Sequence, residues 1–230
     1  ADLKNLDFET LNLSSHLNVK LESPYELMGN ANRGYQIPGD QYFSGTLALQ
    51  GNINHYSLNH KLLEPFEIQS RAALMDPLGT LKFDTEHSWS KIKQILPDGG
   101  ELMLHNGRLK IVGGIESARY DIETSLDTKE AQDILISGAG VVTPILATLA
   151  PLSIKYESMQ LETNGTVNFE GPIAIELGLT GKALDPGIVL AEFPGSLDFD
   201  MGIAFEQIDD FGDLDIEVHS LVGVLREYPF

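Results

Sequence analysis

Six histidines, at positions 16, 55, 60, 87, 105 and 219, are the side chains here best suited to hold a metal or move a proton, and their spacing decides whether they can. Only His55 and His60 are close. Five apart in a segment that alternates like a strand, they point to opposite faces, so all six read as solvated surface. The acidic run "DDFGDLD" (209–215) has the composition of a calcium loop, yet it lacks the D-x-[DN]-x-[DN]-G order and the distal glutamate that complete a cage. It reads as a solvated turn. "SGAGVVTP" (137–144) carries glycines but no following helix with a ribose-binding acid, and no nucleophile elbow, zinc-protease helix or phosphate loop appears in a fitting context. Nearly every Asp and Glu falls on the polar side of its strand, which argues against a carboxylate pair acting on a sugar. The expectation is no enzyme, no metal and no cofactor.

Composition narrows the partners. Lys and Arg number 15 against 34 Asp and Glu, a formal charge of −19 that repels a nucleic-acid backbone and an anionic bilayer surface alike. Nucleic acid and polybasic membrane docking are set aside. With no cysteine, disulfides and thiolate metal sites are excluded, and the compartment stays open. No apolar run approaches the roughly 18 residues of a membrane span, and "ADLKNLDFET" is not a signal peptide. The chain reads as soluble and as a piece of something longer.

The elements that position these residues are strands. Two-residue alternation recurs from "LDFETLNLSSHLNVKLE" to "LDIEVHSLVGVL", broken by Gly, Pro, Asn or Asp, and predicts about fifteen strands. An open sheet rarely passes about ten strands without curling or splitting. In "GTVNFEGPIAIELGLTG" (165–181), Val167 and Phe169 share a face, as do Ile173, Ile175, Leu177 and Leu179 after Gly171-Pro172, while Asn168, Glu170, Glu176 and Thr180 point away. Leu197, Phe199, Met201, Ile203 and Phe205 alternate in the same way, and so do Leu214, Ile216 and Val218. An Asn106-Gly107 turn would set Leu104 against Leu109 and Leu102 against Ile111; a three-residue loop with Gly165 left-handed would pair Leu161 with Val167 and Met159 with Phe169. Short helices are expected at "SWSKIKQILP" (88–97), capped by Ser88 with Trp89, Ile92 and Leu96 on one side and Pro97 as a stop, and at "TPILATLAP" (143–151), capped by Thr143. Residues 23–45 read as a loop or a junction between repeat units, in a chain that otherwise forms one continuous segment over 1–230. Neither helix could roof fifteen strands. A closed, adhesin-like β-sandwich would bury such faces as well as any other cover.

Three motifs, in their order along the chain, carry a resemblance to a known family. "GLTGKALDPGIVLAEFPGSLDFDM" (178–201) resembles the recurring strand, "G-x-x-L-D-P" turn and "W-P-G-x-L" of the TamB family and, more broadly, of AsmA-like proteins, with Phe193 where Trp is usual. "LVGVLREYPF" (221–230) is similar to its "L-x-G-x-L-R-G-x-P-L", with Glu227 in place of the small residue, and the segment from His87 through "GGELMLHNGRLKIVGG" to Leu126 is similar to its Trp-containing linker and following strands. The resemblance runs from Trp89 to Phe230. It implies an all-β fold, a long curled, taco-like sheet of mostly antiparallel strands whose concave face is an apolar groove. It implies a Gram-negative periplasmic location for a full-length protein anchored in the inner membrane outside this segment. It also implies phospholipid carriage between the inner and outer membranes, and a TamA-like outer-membrane barrel partner bound through other parts of the protein. On this reading phospholipid acyl chains cover the face built from Leu102, Leu104, Leu109, Ile111, Val167, Phe169, Ile173, Ile175, Leu177, Leu179, Leu197, Phe199, Met201, Ile203, Phe205, Leu214, Ile216 and Val218. The alternative is a scaffold for outer-membrane protein strands or an assembly partner.

Overall fold

The computed structural model describes residues 2–8, 11–22, 25–37, 41–95, 100–129, 131–188, 193–208, 211–226 and 228–229. It divides into two units, one of residues 1–93 with 105–115 and one of 94–104 with 116–230. The first holds β1 (Asp2–Phe8), β2 (Leu11–Lys20), β3 (Glu26–Ile37), β4 (Gln41–Asn52), β5 (His55–Glu64), β6 (Ile68–Met75), most of β7 (Lys82–Ile95) and the second part of β8 (Glu101–Gly114). The second holds β9 (Ala118–Asp127), β10 (Ile134–Val142), β11 (Leu146–Tyr156), β12 (Met159–Asn168), β13 (Ala174–Leu184), β14 (Gly195–Ile208), β15 (Phe211–Leu225) and β16 (Tyr228–Pro229). Within each unit consecutive strands are hydrogen-bonded in chain order. Every register that is defined is antiparallel, as short turns between consecutive strands require.

Local turn chemistry makes this meander. Between β4 and β5 the Asn52 carboxamide oxygen accepts from the backbone N–H of Asn54 at 2.9 Å and of His55 at 3.1 Å. Asp76, with φ of 50°, accepts from Thr80 N–H at 2.9 Å and opens the connection to β7. The "L-D-P-G" motif is a clasp: the Asp185 carboxylate accepts from Gly187 N–H at 2.8 Å and Gly195 N–H at 2.9 Å, joining the end of β13 to the start of β14 around a single 3-10 turn, Pro186–Ile188. The two C-terminal motifs meet there, with the Arg226 guanidinium 4.1 Å above the Phe193 ring and the Arg226 backbone N–H donating to Pro194 O at 2.9 Å.

Several expectations are corrected. Residues 88–95 are strand, not helix: Trp89 stands opposite Ile68 in the ladder, and that pairing overrides a helical spacing of only three apolar residues. Leu96 and Pro97 lie outside the described residues. At 143–151 Thr143 caps a turn, its N–H donating to Leu146 O at 2.7 Å and its Oγ1 accepting from Leu146 N–H at 3.0 Å, before β11 begins. Of the expected loop at 23–45, residues 26–37 are β3 and 41–45 open β4; residues 23–24 and 38–40 lie outside the described residues. Its period was hidden because Gly29 and Ala31 stand where larger aliphatics would mark a face. Neither Asn-Gly pair is a turn. Asn106, with φ of 48°, sits within β8, and Gly165, with φ of 155°, within β12, where a Cβ would collide with the Glu176 carbonyl oxygen of β13. In "DDFGDLD", residues 211–215 belong to β15, and Asp209 and Asp210 lie outside the described residues.

Little is sealed from solvent. Among the described residues the buried hydrophobics are Ala118, Ala131 and Ile134, and no large side chain is fully buried. A sandwich of comparable size encloses rows of large aliphatics between two sheets, and these units do not. No helix among the described residues is long and apolar enough to cross a membrane.

Candidate functional site

In the second unit the register converts alternation into a surface. Four cross-strand rows run over β12 to β15: Val167, Ile175, Phe205 and Leu214; Gly165, Leu177, Ile203 and Ile216; Thr163, Leu179, Met201 and Val218; Leu161, Gly181, Phe199 and Leu221. The next row along β13 and β14 sets Leu184 beside Leu197. An extra residue in β15, where Asp200 faces Ser220 and Met201 faces Val218, keeps both Val218 and Leu221 on the apolar side. Gly181 lies directly under the Phe199 ring, so the aromatic covers backbone that a larger residue would hold away. The first two rows continue into β11 through Ala147 and Leu149.

Most of the predicted face is therefore assembled here. Phe169 and Ile173 fall in the connection between β12 and β13 and are exposed. Leu102 and Leu104 are half-buried in the part of β8 within the second unit, whereas Leu109 and Ile111 are half-buried in the part within the first. Leu126, Ile136, Leu152, Ile154 and Leu161 extend the second unit's apolar side over β9 to β12. None of these five was among the residues predicted to form the face.

The side chains on β13 to β15 are half-buried or exposed, with Leu214, Ile216 and Val218 more than half exposed. Among the described residues of the unit no second sheet lies over them. Their reverse side is acidic: Glu176, Asp198, Asp200, Glu206, Asp213, Asp215 and Glu217 all project to solvent. A depression of about 360 Å³ opens on that polar side over Gly178 and Gly202, flanked by Asn164, Glu176, Asp215 and Glu217. No Lys or Arg among the described residues lines it, and no group of three or more His, Asp or Glu among them is arranged for a metal.

The first unit also has one apolar side, carried by Leu47, Leu49, Leu58, Leu62, Ile68, Leu74 and Trp89, with Trp89 lying over Gly107 of β8. Here the structure assembles what the sequence left dispersed: His60 and His87 share this side with Arg33. His60 is held below the usual histidine pKa, first by burial and then by Arg33 and His87.

A ladder that is aliphatic on one side, polar on the other and without a core of its own defines a class of protein that presents surface instead of enclosing it. The family model for the TamB N-terminal domain matches residues 2–230, and the chain belongs to that family. The match includes the first eighty or so residues, where alternation alone was legible. No curated protein and no solved structure matches the chain significantly.

Proposed function

We propose that this segment provides an apolar track along which phospholipid acyl chains move between the inner and outer membranes of a Gram-negative envelope, in support of outer-membrane assembly. The observation that carries the reading is the run of aliphatic rows across β12 to β15 that nothing in its own unit covers. Each methylene withdrawn from water contributes about 0.8 kcal/mol, so an acyl chain laid along these rows supplies the burial that a second layer supplies elsewhere. The acidic reverse side keeps the loaded sheet in solution and repels anionic surfaces. The periplasmic location, the inner-membrane anchor outside the segment and a TamA-like barrel partner through other parts of the full-length protein belong to the same proposal.

Photo-crosslinking in cells tests it. A probe at Ile175 or Phe199 is expected to capture lipid and the same probe at Glu176 or Asp198 none. Equal lipid labelling on both sides defeats the track, and protein adducts at all four positions favour the scaffold for outer-membrane strands.

A further inference from the structure

On the apolar side of the first unit His60, Ser70 and His87 form a polar row, and Arg33 reaches it from the adjoining one. Arg33 of β3 stands opposite Gly45 of β4, and its Nη2 donates across that glycine to Nε2 of His60 on β5 at 2.8 Å. A Cβ at position 45 would stand 3.4 Å from the same Nε2, so the glycine leaves the passage open. Because a guanidinium only donates, His60 Nε2 must carry the lone pair; the ring is neutral, with its proton on Nδ1. The ladder then sets His60 beside Ser70 and Ser70 beside His87, whose Nδ1 lies 2.8 Å from Ser70 Oγ.

Among the described residues no carboxylate pairs with Arg33. On the opposite side of the same unit basic groups pair with carboxylates: Lys61 with Glu67 at 2.7 Å, Arg108 with Glu86 at 3.3 Å and Lys110 with Asp84 at 3.8 Å. Arg33 instead has a neutral imidazole as its partner, and the neighbouring residues on its side from β4, β5, β6 and β7 are Leu47, Leu62, Ile68 and Trp89. In a chain of net charge −19, a cation that pairs with no carboxylate among the described residues and stands on an aliphatic surface is fitted to an anion that also carries hydrocarbon.

We infer that Arg33, together with Ser70 and His87 in line beyond His60, docks the phosphodiester of a lipid whose acyl chains lie along the flanking rows, Leu49 and Leu58 on one side and Leu62 and Ile68 on the other. This rests on the lipid reading above and adds a polar station to it. The guanidinium offers a planar fork to two phosphate oxygens, the serine hydroxyl and the distal His87 nitrogen add donors, and His60 orients the fork without competing for it.

The test is a side-chain NMR titration of the folded chain with dihexanoylphosphatidylglycerol below its micelle concentration, dihexanoylglycerol and inorganic phosphate. The phospholipid is expected to shift the His60 and His87 ring signals with a Kd that rises at least tenfold in Arg33→Gln and less in Arg33→Lys. Dihexanoylglycerol is expected to shift Leu49 and Leu58 methyls and leave the rings unmoved. Inorganic phosphate saturating the rings at the lipid's concentration would overturn the headgroup in favour of a soluble anion. An unchanged phospholipid Kd in Arg33→Gln would overturn the station and leave the track standing, whereas failure of both lipids to move any methyl of the face would remove the track itself. If Arg33→Gln loses the circular dichroism of the sheet, His87→Gln carries the same test, with a threefold or larger rise expected.

Discussion

The two units put the same ladder to different chemical use. From β12 to β15 one side is almost wholly aliphatic and the other bears seven exposed carboxylates; from β3 to β7 the apolar side is crossed by Arg33, His60, Ser70 and His87, and the reverse side carries Asn30, Asn32 and Asn59 with its ion pairs. The backbone pairing is equally regular in both. What the contrast teaches is that sidedness follows from the strand period, while the chemistry of each row can change without disturbing the fold. Ladder hydrogen bonds and cross-strand neighbours carry stability here, so a polar row costs less than it would inside a sealed core.

The largest effect that can break the comparison is on transport. If the proposed track is right, Ile175→Arg or Leu177→Asp in the full-length protein places a charge in the path of the acyl chain, and a barrier of several kcal/mol is expected to slow passage by orders of magnitude. Abundance should stay near normal because a long side chain at a half-buried site tilts to water. Glu176→Arg is the near-neutral control, and outer-membrane lipid labelling with immunoblotting reads both. If Ile175→Arg unfolds the chain the face is a closed core; if it complements fully, lipid does not cross this row.

Next in size is Gly165→Val, whose Cβ meets the Glu176 carbonyl oxygen at a φ that disfavours any side chain. A loss of about 3 kcal/mol is expected by urea denaturation. Gly171→Ala, at φ of +86° but with nothing within 4 Å, should cost only about 1 kcal/mol. Equal costs would mean that the β12–β13 register differs from the one described.

A truncation sharpens the contrast with a sealed core. Phe199→Ala should cost about 2 kcal/mol, below the 3–5 typical of a core phenylalanine, because the ring is half exposed already. A core-like loss in denaturation would indicate a hidden layer. The smallest effect concerns acid. The folded pKa of His60 is lowered, so the unfolded chain takes up the proton first; the stability from neutral His60 is complete above about pH 6.5 and is lost as pH falls through the lower folded value. His60→Gln should flatten that part of the curve of midpoint against pH, and an unchanged slope would mean the ring is not shielded in the fold.

Where both members of a period were strongly marked, as in Leu197 to Phe205 against Asp198 to Glu206, the strand and its two sides were legible in the sequence, and its partners were not. Where small or polar residues stood on the apolar side, as at Gly29, Ala31 and Arg33, the period vanished and β3 read as a loop. Asn106, Asn164 and Gly165 carried turn chemistry, but positive φ serves a bulge or a close backbone approach as readily as a hairpin, and no local signal separates the two. Trp89 and Ile92 spaced like a helix because three apolar residues are too few to fix a period against the pairing of a whole strand.

The sequence by itself determined that the chain is an acidic array of one-sided strands, because the two-residue period and the charge are properties of consecutive residues. Only the tertiary structure decided which strands lie side by side, and hence that Val167, Ile175, Phe205 and Leu214 form a row and that Arg33 reaches His60 across Gly45. A shift of one residue in any pairing would have moved those side chains to the other side, and register is set by hydrogen bonds between residues far apart along the chain.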